Sequence, residues 1–256
     1  MVTLGRSGSC GGKRHRRLMT DPSVVYEDAD VLVVAKPAGL LTTEGRDRPC
    51  LMSWARSRYG DRLHPTSRLD RDVSGLVTLA RTRAARIVLE QARSTSTYGR
   101  GYLALVSGRP EPPSGSWSGA IAVDPVDPRL RRSVGPTVAV VGARQASTRY
   151  LLRQQSRGVS CLWLTPETGR THQLRVHASH AGCPLLGDTK YGGPPRLTLH
   201  DGQVVSVPRV LLHCAWLDVP VRGAGARRVI ALPPPVDFSS VWCAVGGDAA
   251  ALRPYP

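Results

Sequence analysis

Lysine, phenylalanine and acidic side chains are all scarce in this 256-residue chain, which holds three lysines, one phenylalanine and 19 acidic residues against 35 basic ones. With so few aromatics, the core must be built from Val, Leu, Ala and Ile. No apolar run approaches the roughly 18 residues of a membrane helix, which excludes a spanning segment and implies a soluble, cytoplasmic protein. The six cysteines (Cys10, Cys50, Cys161, Cys183, Cys214, Cys243) form no CxxC pair. That scatter argues against a disulfide framework or zinc ribbon and fits free thiols in a reducing compartment. Residues 1–20 contain no acidic residue and no apolar stretch, so they are not a secretory signal. Gly5, Gly8, Gly11 and Gly12 oppose the amphipathic helix of a transit peptide.

What is abundant is arginine. Lys13, Lys36 and Lys190 are the only lysines among the 35 basic residues, so 32 are arginine, and the formal net charge is +16. Codon preference explains arginine in place of lysine, but not the shortage of Asp and Glu. A polyanionic partner explains that shortage and the basic excess, because each neutralised phosphate releases counterions. Lys13 to Arg17 (KRHRR) is the densest basic cluster, and residues 1–20 are expected to form a disordered basic arm.

Folding is expected over 21–238, with a tail from 239 to 256. Val31 to Ala35 is a strand closed by the turn signal Lys36-Pro37-Ala38-Gly39, and Leu51 to Tyr59 is a short helix. Gly75 to Ala80 is a strand. Thr82 caps a helix whose Ala84, Ala85, Val88, Leu89 and Ala92 share one face. Tyr102 to Val106 is a further strand, and the Pro/Gly-rich stretch from Pro110 to Gln145 reads as short strands and loops. Thr148 to Leu152 and Val159 to Leu164 form a hairpin around Arg157-Gly158. A helix covers about 170–181, a strand Val210 to Leu217, and pattern is lost beyond Phe238. No repeat and no strict βαβ alternation is present, which favours α+β over a doubly wound sheet.

Two polar constellations stand out: Ser67-Arg68-Leu69-Asp70-Arg71-Asp72-Val73-Ser74-Gly75 before a strand, and Glu167-Thr168-Gly169-Arg170-Thr171-His172-Gln173-Leu174-Arg175-Val176-His177 opening a helix. With Val33 to Leu40, Tyr102 to Val106, Pro184 to Asp188 with Tyr191-Gly192, Leu211 to His213, and Leu232-Pro233 with Asp237-Phe238, they occur in the order seen in a known family. From about Val24 to Phe238 the chain resembles the RluA-type RNA pseudouridine synthases, which isomerise chosen uridines in ribosomal or transfer RNA.

The resemblance implies a mixed, mostly antiparallel central sheet with flanking helices and a catalytic cleft. It implies Asp70 as nucleophile, adding to the ribose C1′ or the base C6 and leaving again, with no metal or organic cofactor. It places Arg175 beside Asp70, where a guanidinium favours an ionised carboxylate. Tyr102 would stack on the base, its phenol or a water assisting removal of the C5 proton. Arg68 would support RNA whose target base has left the stack. Arg170, His172 and Gln173 are further candidates for substrate contact. The expected partner is a structured stem-loop of ribosomal or transfer RNA, bound by a monomer without a membrane.

Several of these residues also admit other readings. An isolated Arg–Asp pair is more often structural than catalytic. Asp72, two residues on, is a local loop or capping group on this reading. His172, His177, His180 and Cys183 have spacings that would allow zinc, but no acidic residue accompanies them, and two belong to the family motif. The family usually has His where Ser67 stands and Thr where Val73 stands. Both departures are expected to loosen the Asp70 loop, and they give some weight to an inactive RNA-binding relative.

Overall fold

The computed structural model describes residues 21–43, 49–135, 140–221 and 225–255. The basic arm expected over 1–20 lies outside the described residues. In chain order the elements are β1 (Ser23–Glu27), β2 (Val31–Lys36), α1 (Leu51–Tyr59), β3 (His64–Pro65), β4 (Ser74–Ala80), α2 (Arg83–Ser94), β5 (Gly99–Ser107), β6 (Ser114–Val123), β7 (Arg131–Val134), β8 (Arg144–Ser156), β9 (Val159–Pro166), α3 (Gln173–His180), β10 (Arg196–Thr198), β11 (Val204–Ser206), β12 (Leu212–Pro220), β13 (Arg227–Ala231) and α4 (Val236–Ala244).

Nine strands of the main sheet follow the order β1-β2-β4-β12-β5-β9-β8-β6-β7, with β13 on β12 and β3 on β4. Every pairing in it is antiparallel except β4 with β12, where Ser74 and Gly75 face His213 and Cys214 in parallel. The architecture is the expected α+β one. Among the described residues no helix is long and apolar enough to cross a membrane.

Side chains alternate across a strand, and here both faces are covered, so the central strands read as continuous apolar runs. On β5, Tyr102, Ala104 and Val106 pack with Ala85, Leu89 and Ala92 of α2 and with Leu174 and Ala178 of α3. Leu103 and Leu105 point the other way, toward Phe238, Val241 and Trp242 of α4. On β2, Leu32 and Val34 pack with Leu51, Met52 and Ala55 of α1. Thr82 starts α2 as expected: its hydroxyl accepts the Ala85 N–H at 3.1 Å.

The structure corrects one boundary. The tail expected from 239 is folded: α4 runs to Ala244, and Trp242, Val245 and Leu252 are buried under the sheet. Trp242 donates its indole N–H to the Asp248 carbonyl at 2.8 Å. Phe238, Val241, Trp242 and Val245 follow the i, i+3, i+4, i+7 spacing of an amphipathic helix, so the signal was present but short.

Candidate active site

The loop carrying Asp70 enters β4, beside the parallel β4–β12 pair. Gly75 makes that approach possible, because a Cβ there would sit 2.4 Å from the Cys214 carbonyl oxygen, and its φ of +123° disfavours any other residue. Upstream, the loop is tied at several points. The Ser67 hydroxyl, buried, accepts from the Thr78 N–H at 2.9 Å and from the Thr78 hydroxyl at 3.1 Å. Thr42 bonds Leu69 reciprocally, accepting its N–H at 3.1 Å and donating to its carbonyl at 2.9 Å. The Val73 N–H donates to the Asp70 carbonyl, and the Val73 side chain is buried in the core. Ser67 and Val73 were expected to loosen this loop. Instead, the hydroxyl accepts two hydrogen bonds and the valine supplies packing.

Lys36 is a component that the sequence reading treated only as part of a turn. It is 1% exposed, and its Nζ donates to the carbonyls of Pro37 (2.9 Å), Leu40 (2.8 Å) and Arg71 (3.2 Å). Burial pulls its pKa down to about 7, against the pull of Asp70 and Asp72. Three acceptors require three N–H donors, and only the ammonium form has them. Lys36 therefore pins the 71 end of the Asp70 loop to the β2 turn.

Arg175 comes from α3, 105 residues later, and reaches the same carboxylate: its Nη1 donates to Asp70 Oδ2 at 3.1 Å. Its other edge is held by Asp188, which is 1% exposed. Nε donates to Oδ2 at 2.7 Å and Nη2 to Oδ1 at 2.8 Å. This forked pair fixes the guanidinium plane. Burial opposes the charge on Arg175, but Asp188 and then Asp70 outweigh it and raise the pKa. Asp70 remains about a quarter exposed, so its carboxylate opens to solvent while Arg175 does not.

His172 stands next to both. It precedes α3 in the left-handed region (φ 57°), an uncommon conformation for a residue with a Cβ. Its Nδ1 lies 2.7 Å from the Tyr191 hydroxyl, and its Nε2 lies 3.8 Å from Asp70 Oδ2. Tyr191 also accepts the Arg131 N–H at 3.0 Å; the imidazole tautomer in which the Tyr191 proton goes to Nδ1 carries its own proton on Nε2, the nitrogen that faces Asp70. Burial lowers the pKa of His172, Asp70 opposing and Arg175 reinforcing that effect. The Tyr191 ring packs on Arg175, with 4.8 Å from the guanidinium carbon to the ring centroid. Asp188 and Tyr191 were visible in the sequence as part of one loop motif, without a role for either.

The remaining candidates separate. Tyr102 lies on β5 opposite Cys214 of β12, is 7% exposed, and packs in the core cluster that holds Val73 and Leu174. Its phenol lies beside the Cys214 thiol, and burial raises its pKa well above the usual value, so it is held protonated. Arg68 is exposed on the Asp70 loop. The Arg170 side chain turns toward β8, donating to the Gln145 carbonyl at 3.0 Å. Gln173 was expected to contact substrate, and the structure corrects this. The residue is buried, its carboxamide oxygen accepts from Thr168 Oγ1 and the Arg170 N–H, and its nitrogen donates to the Ser147 carbonyl and Thr148 Oγ1. Its hydrogen-bonding capacity is used within the protein, and it serves to shape the 168–170 loop.

The residues with zinc-like spacing do not converge. His177 is buried against Thr148, His180 is exposed, and Cys183 is in the core. Among the described residues, no three His, Cys, Asp or Glu side chains are gathered as a metal site would need.

Residues 30–180 match the family described as RNA pseudouridylate synthase. The ribosomal large subunit pseudouridine synthase D of Xanthomonas campestris pv. campestris is 35% identical, over 89% of this chain and 70% of its own length. An uncharacterized RNA pseudouridine synthase of Chloroflexus aurantiacus is 39% identical, over 80% of this chain and 64% of its own. Among solved structures, human RNA pseudouridylate synthase domain containing 1 superposes with a TM-score of 0.69 at 24% identity, covering 86% of this chain and 87% of its own, and so shares the fold. With sequence, fold and the family's two polar constellations in agreement, the chain belongs to the RNA pseudouridylate synthase family.

Proposed function

We propose that this protein isomerises selected uridines in ribosomal or transfer RNA, with Asp70 as the nucleophile. The observation that carries the reading is the 3.1 Å contact between Arg175 and Asp70, two charged groups 105 residues apart that meet at a solvent-accessible carboxylate. In the reaction the N1–C1′ bond breaks, a C5–C1′ bond forms, the C5 proton leaves and N1 gains one. Atoms and electrons balance without a redox partner. Asp70 adds to C1′ or C6 and is expelled later. Arg175 holds that carboxylate in place, and the Nε2–H of His172 gives it, or a substrate oxygen, a neutral donor. Tyr102 forms an apolar wall on which an extruded base stacks, and its raised pKa favours a solvent water over the phenol as proton acceptor.

The enzyme acts as a cytoplasmic monomer on a stem-loop whose target base leaves the stack, with the arginine-rich surface holding the backbone. The tight anchoring of Ser67 and Val73 favours an active enzyme over an inert binding relative. Incubation with ribosomal and transfer RNA transcripts, followed by mapping of pseudouridine, tests the activity. Asp70→Ala is expected to abolish the product while leaving the fold and RNA affinity in place. Robust conversion by that variant would refute the role of Asp70.

A further inference from the structure

Several arginines that hold this fold together face a carboxylate: Arg175 faces Asp188, Arg209 faces Asp237, Arg227 faces Asp218 and Arg81 faces Glu27. Others, Arg131 and Arg153 among them, are held by backbone carbonyls. Arg93 and Arg100 are of this second kind. Both are half-buried, and among the described residues no acidic side chain pairs with either. Arg93, at the end of α2, donates from Nη1 to the Thr66 carbonyl. Arg100, at the start of β5, donates from Nη2 to the Thr168 carbonyl at 3.1 Å and the Pro166 carbonyl at 3.4 Å. The Arg100 Nε is buried with no partner.

Their free ends converge. A Cβ on the exposed Gly169 would lie 3.2 Å from Arg93 Nη2 and 3.5 Å from Arg100 Nη1, so both guanidiniums reach the same point of backbone, and a side chain there would crowd them. Two cations this close repel each other. Burial lowers the pKa of Arg93, and Arg100 lowers it further, with Arg68 adding to the same effect. Arg153 shows that carbonyls alone can hold a lone arginine, since it clasps those of Ala251, Arg253 and Tyr255 to fasten the C-terminal segment. They do not explain why two arginines are set side by side. An anion does, because it would satisfy both Nη donors at once.

We propose that Arg93 and Arg100, converging over Gly169, form a site for one backbone phosphate of the RNA next to the target nucleotide. The position suits this. Thr66, the partner of Arg93, is four residues before Asp70, Gly169 is three before His172, and Arg100 is two before Tyr102. The site thus joins β5 to the chain just before each of the two constellations, and a phosphate held there would fix the register of the strand from which the base is extruded. The proposal rests on the reading of the protein as an RNA-modifying enzyme, but its test uses binding rather than product.

The probe is a short stem-loop RNA with a uridine-containing loop, titrated with full-length protein by fluorescence anisotropy over a range of salt concentrations. Loss of one phosphate contact is expected to reduce the slope of log affinity against log salt by about 0.7–0.9. Arg93→Gln and Arg100→Gln should each show that reduction, and the double variant little more, because both serve the same phosphate. Arg93→Lys and Arg100→Lys, which keep the charge, should preserve the slope while weakening binding. A scan placing one neutral methylphosphonate at a time around the loop uridine should find a linkage that weakens wild-type binding but leaves the double Gln variant unaffected. If folded Gln variants keep the wild-type slope, or no linkage shows that non-additivity, the two arginines only brace the 166–169 loop and the proposal is wrong. Absence of pseudouridine in every transcript would instead overturn the proposed activity and leave this binding result standing.

Discussion

Replacing Asp188 with asparagine tests whether Arg175, the arginine proposed to hold Asp70, is itself held from behind. Arg175 and Asp188 are 5% and 1% exposed, and the forked pair between them supplies two of the three hydrogen bonds that orient the guanidinium toward acidic groups. Removing one partner of a buried ion pair costs about 3–5 kcal/mol, because the survivor keeps its desolvation penalty. Asp70 remains 3.1 Å from the same guanidinium, and the amide keeps one acceptor oxygen, so the low end, about 3 kcal/mol, is expected. The amide NH2 also opposes a guanidinium N–H, which turns the plane of Arg175 toward Asp70. A misplacement of about 1 Å near reacting atoms is worth on the order of 100-fold in rate.

The assays are urea unfolding for stability and single-turnover pseudouridine formation for chemistry, run well below the unfolding midpoint. Because Asp188 has almost no surface of its own, RNA affinity should be unchanged, and the loss should fall on kcat rather than KM. Asp237→Asn is the control. It breaks an equally forked pair, with Arg209 at 2.6 and 2.9 Å, and should cost comparable stability while leaving kcat alone. Equal kcat for wild type and Asp188→Asn would show that Arg175 does not depend on Asp188 for its working position.

Three further outcomes are expected. Gly75→Ala drives a methyl into the Cys214 backbone, so the protein should lose several degrees of Tm or fail to accumulate; wild-type melting would contradict the tight β4–β12 approach. Lys36→Met removes the Nζ donor from the Pro37, Leu40 and Arg71 carbonyls, of which Arg71 keeps the Gly39 N–H, and should cost roughly 3 kcal/mol in urea unfolding, with pseudouridine formation falling as the Asp70 loop loosens. Burial pulls His213 down to about 3, so between the ordinary value of 6.5 and that pH the unfolded chain binds a proton that the native chain refuses. Its contribution is therefore complete above pH 6.5 and falls away in acid, by roughly 3 kcal/mol at pH 4, and His213→Asn should flatten that part of the stability–pH curve.

Much of the fold could be read from alternation and punctuation. The apolar runs of β2, β4, β5 and β9, the Thr82 cap and the Arg157-Gly158 turn are local signals, and the structure uses each of them locally. The Asp70–Arg175 meeting was legible only through family resemblance, since nothing in either constellation specifies a partner 105 residues away. Asp188 and Tyr191 lie in a turn without periodicity, where polar residues ordinarily face solvent. Lys36 belongs to a residue type that is almost never fully buried, so only its three carbonyl partners reveal its task. Gln173 was misjudged because a carboxamide in a motif serves substrate or loop equally well until its four hydrogen bonds are counted. Nothing in the α2 sequence marks Arg93, and only the approach of Arg100 and Gly169 from other elements makes it unusual.

The distance between Asp70 and Arg175 is set by strands rather than by the helix that carries the arginine. On one side, the Asp70 loop is fastened through Lys36, Gly39 and Thr42 to the end of β2, and β2 is registered against β4 from Val31–Ala80 to Lys36–Gly75. On the other, Asp188 lies in a turn whose Leu186 N–H donates to the Leu105 carbonyl of β5, while Leu211 returns a bond to Leu186 just before β12. Both anchors therefore refer to β4, β12 and β5, which are adjacent in the sheet. Helix α3 has eight residues and no side-chain N-cap, so its own stability is too small to position a charge. It follows that perturbing the β4–β12–β5 register should separate the two charged groups even when every residue of α3 is intact.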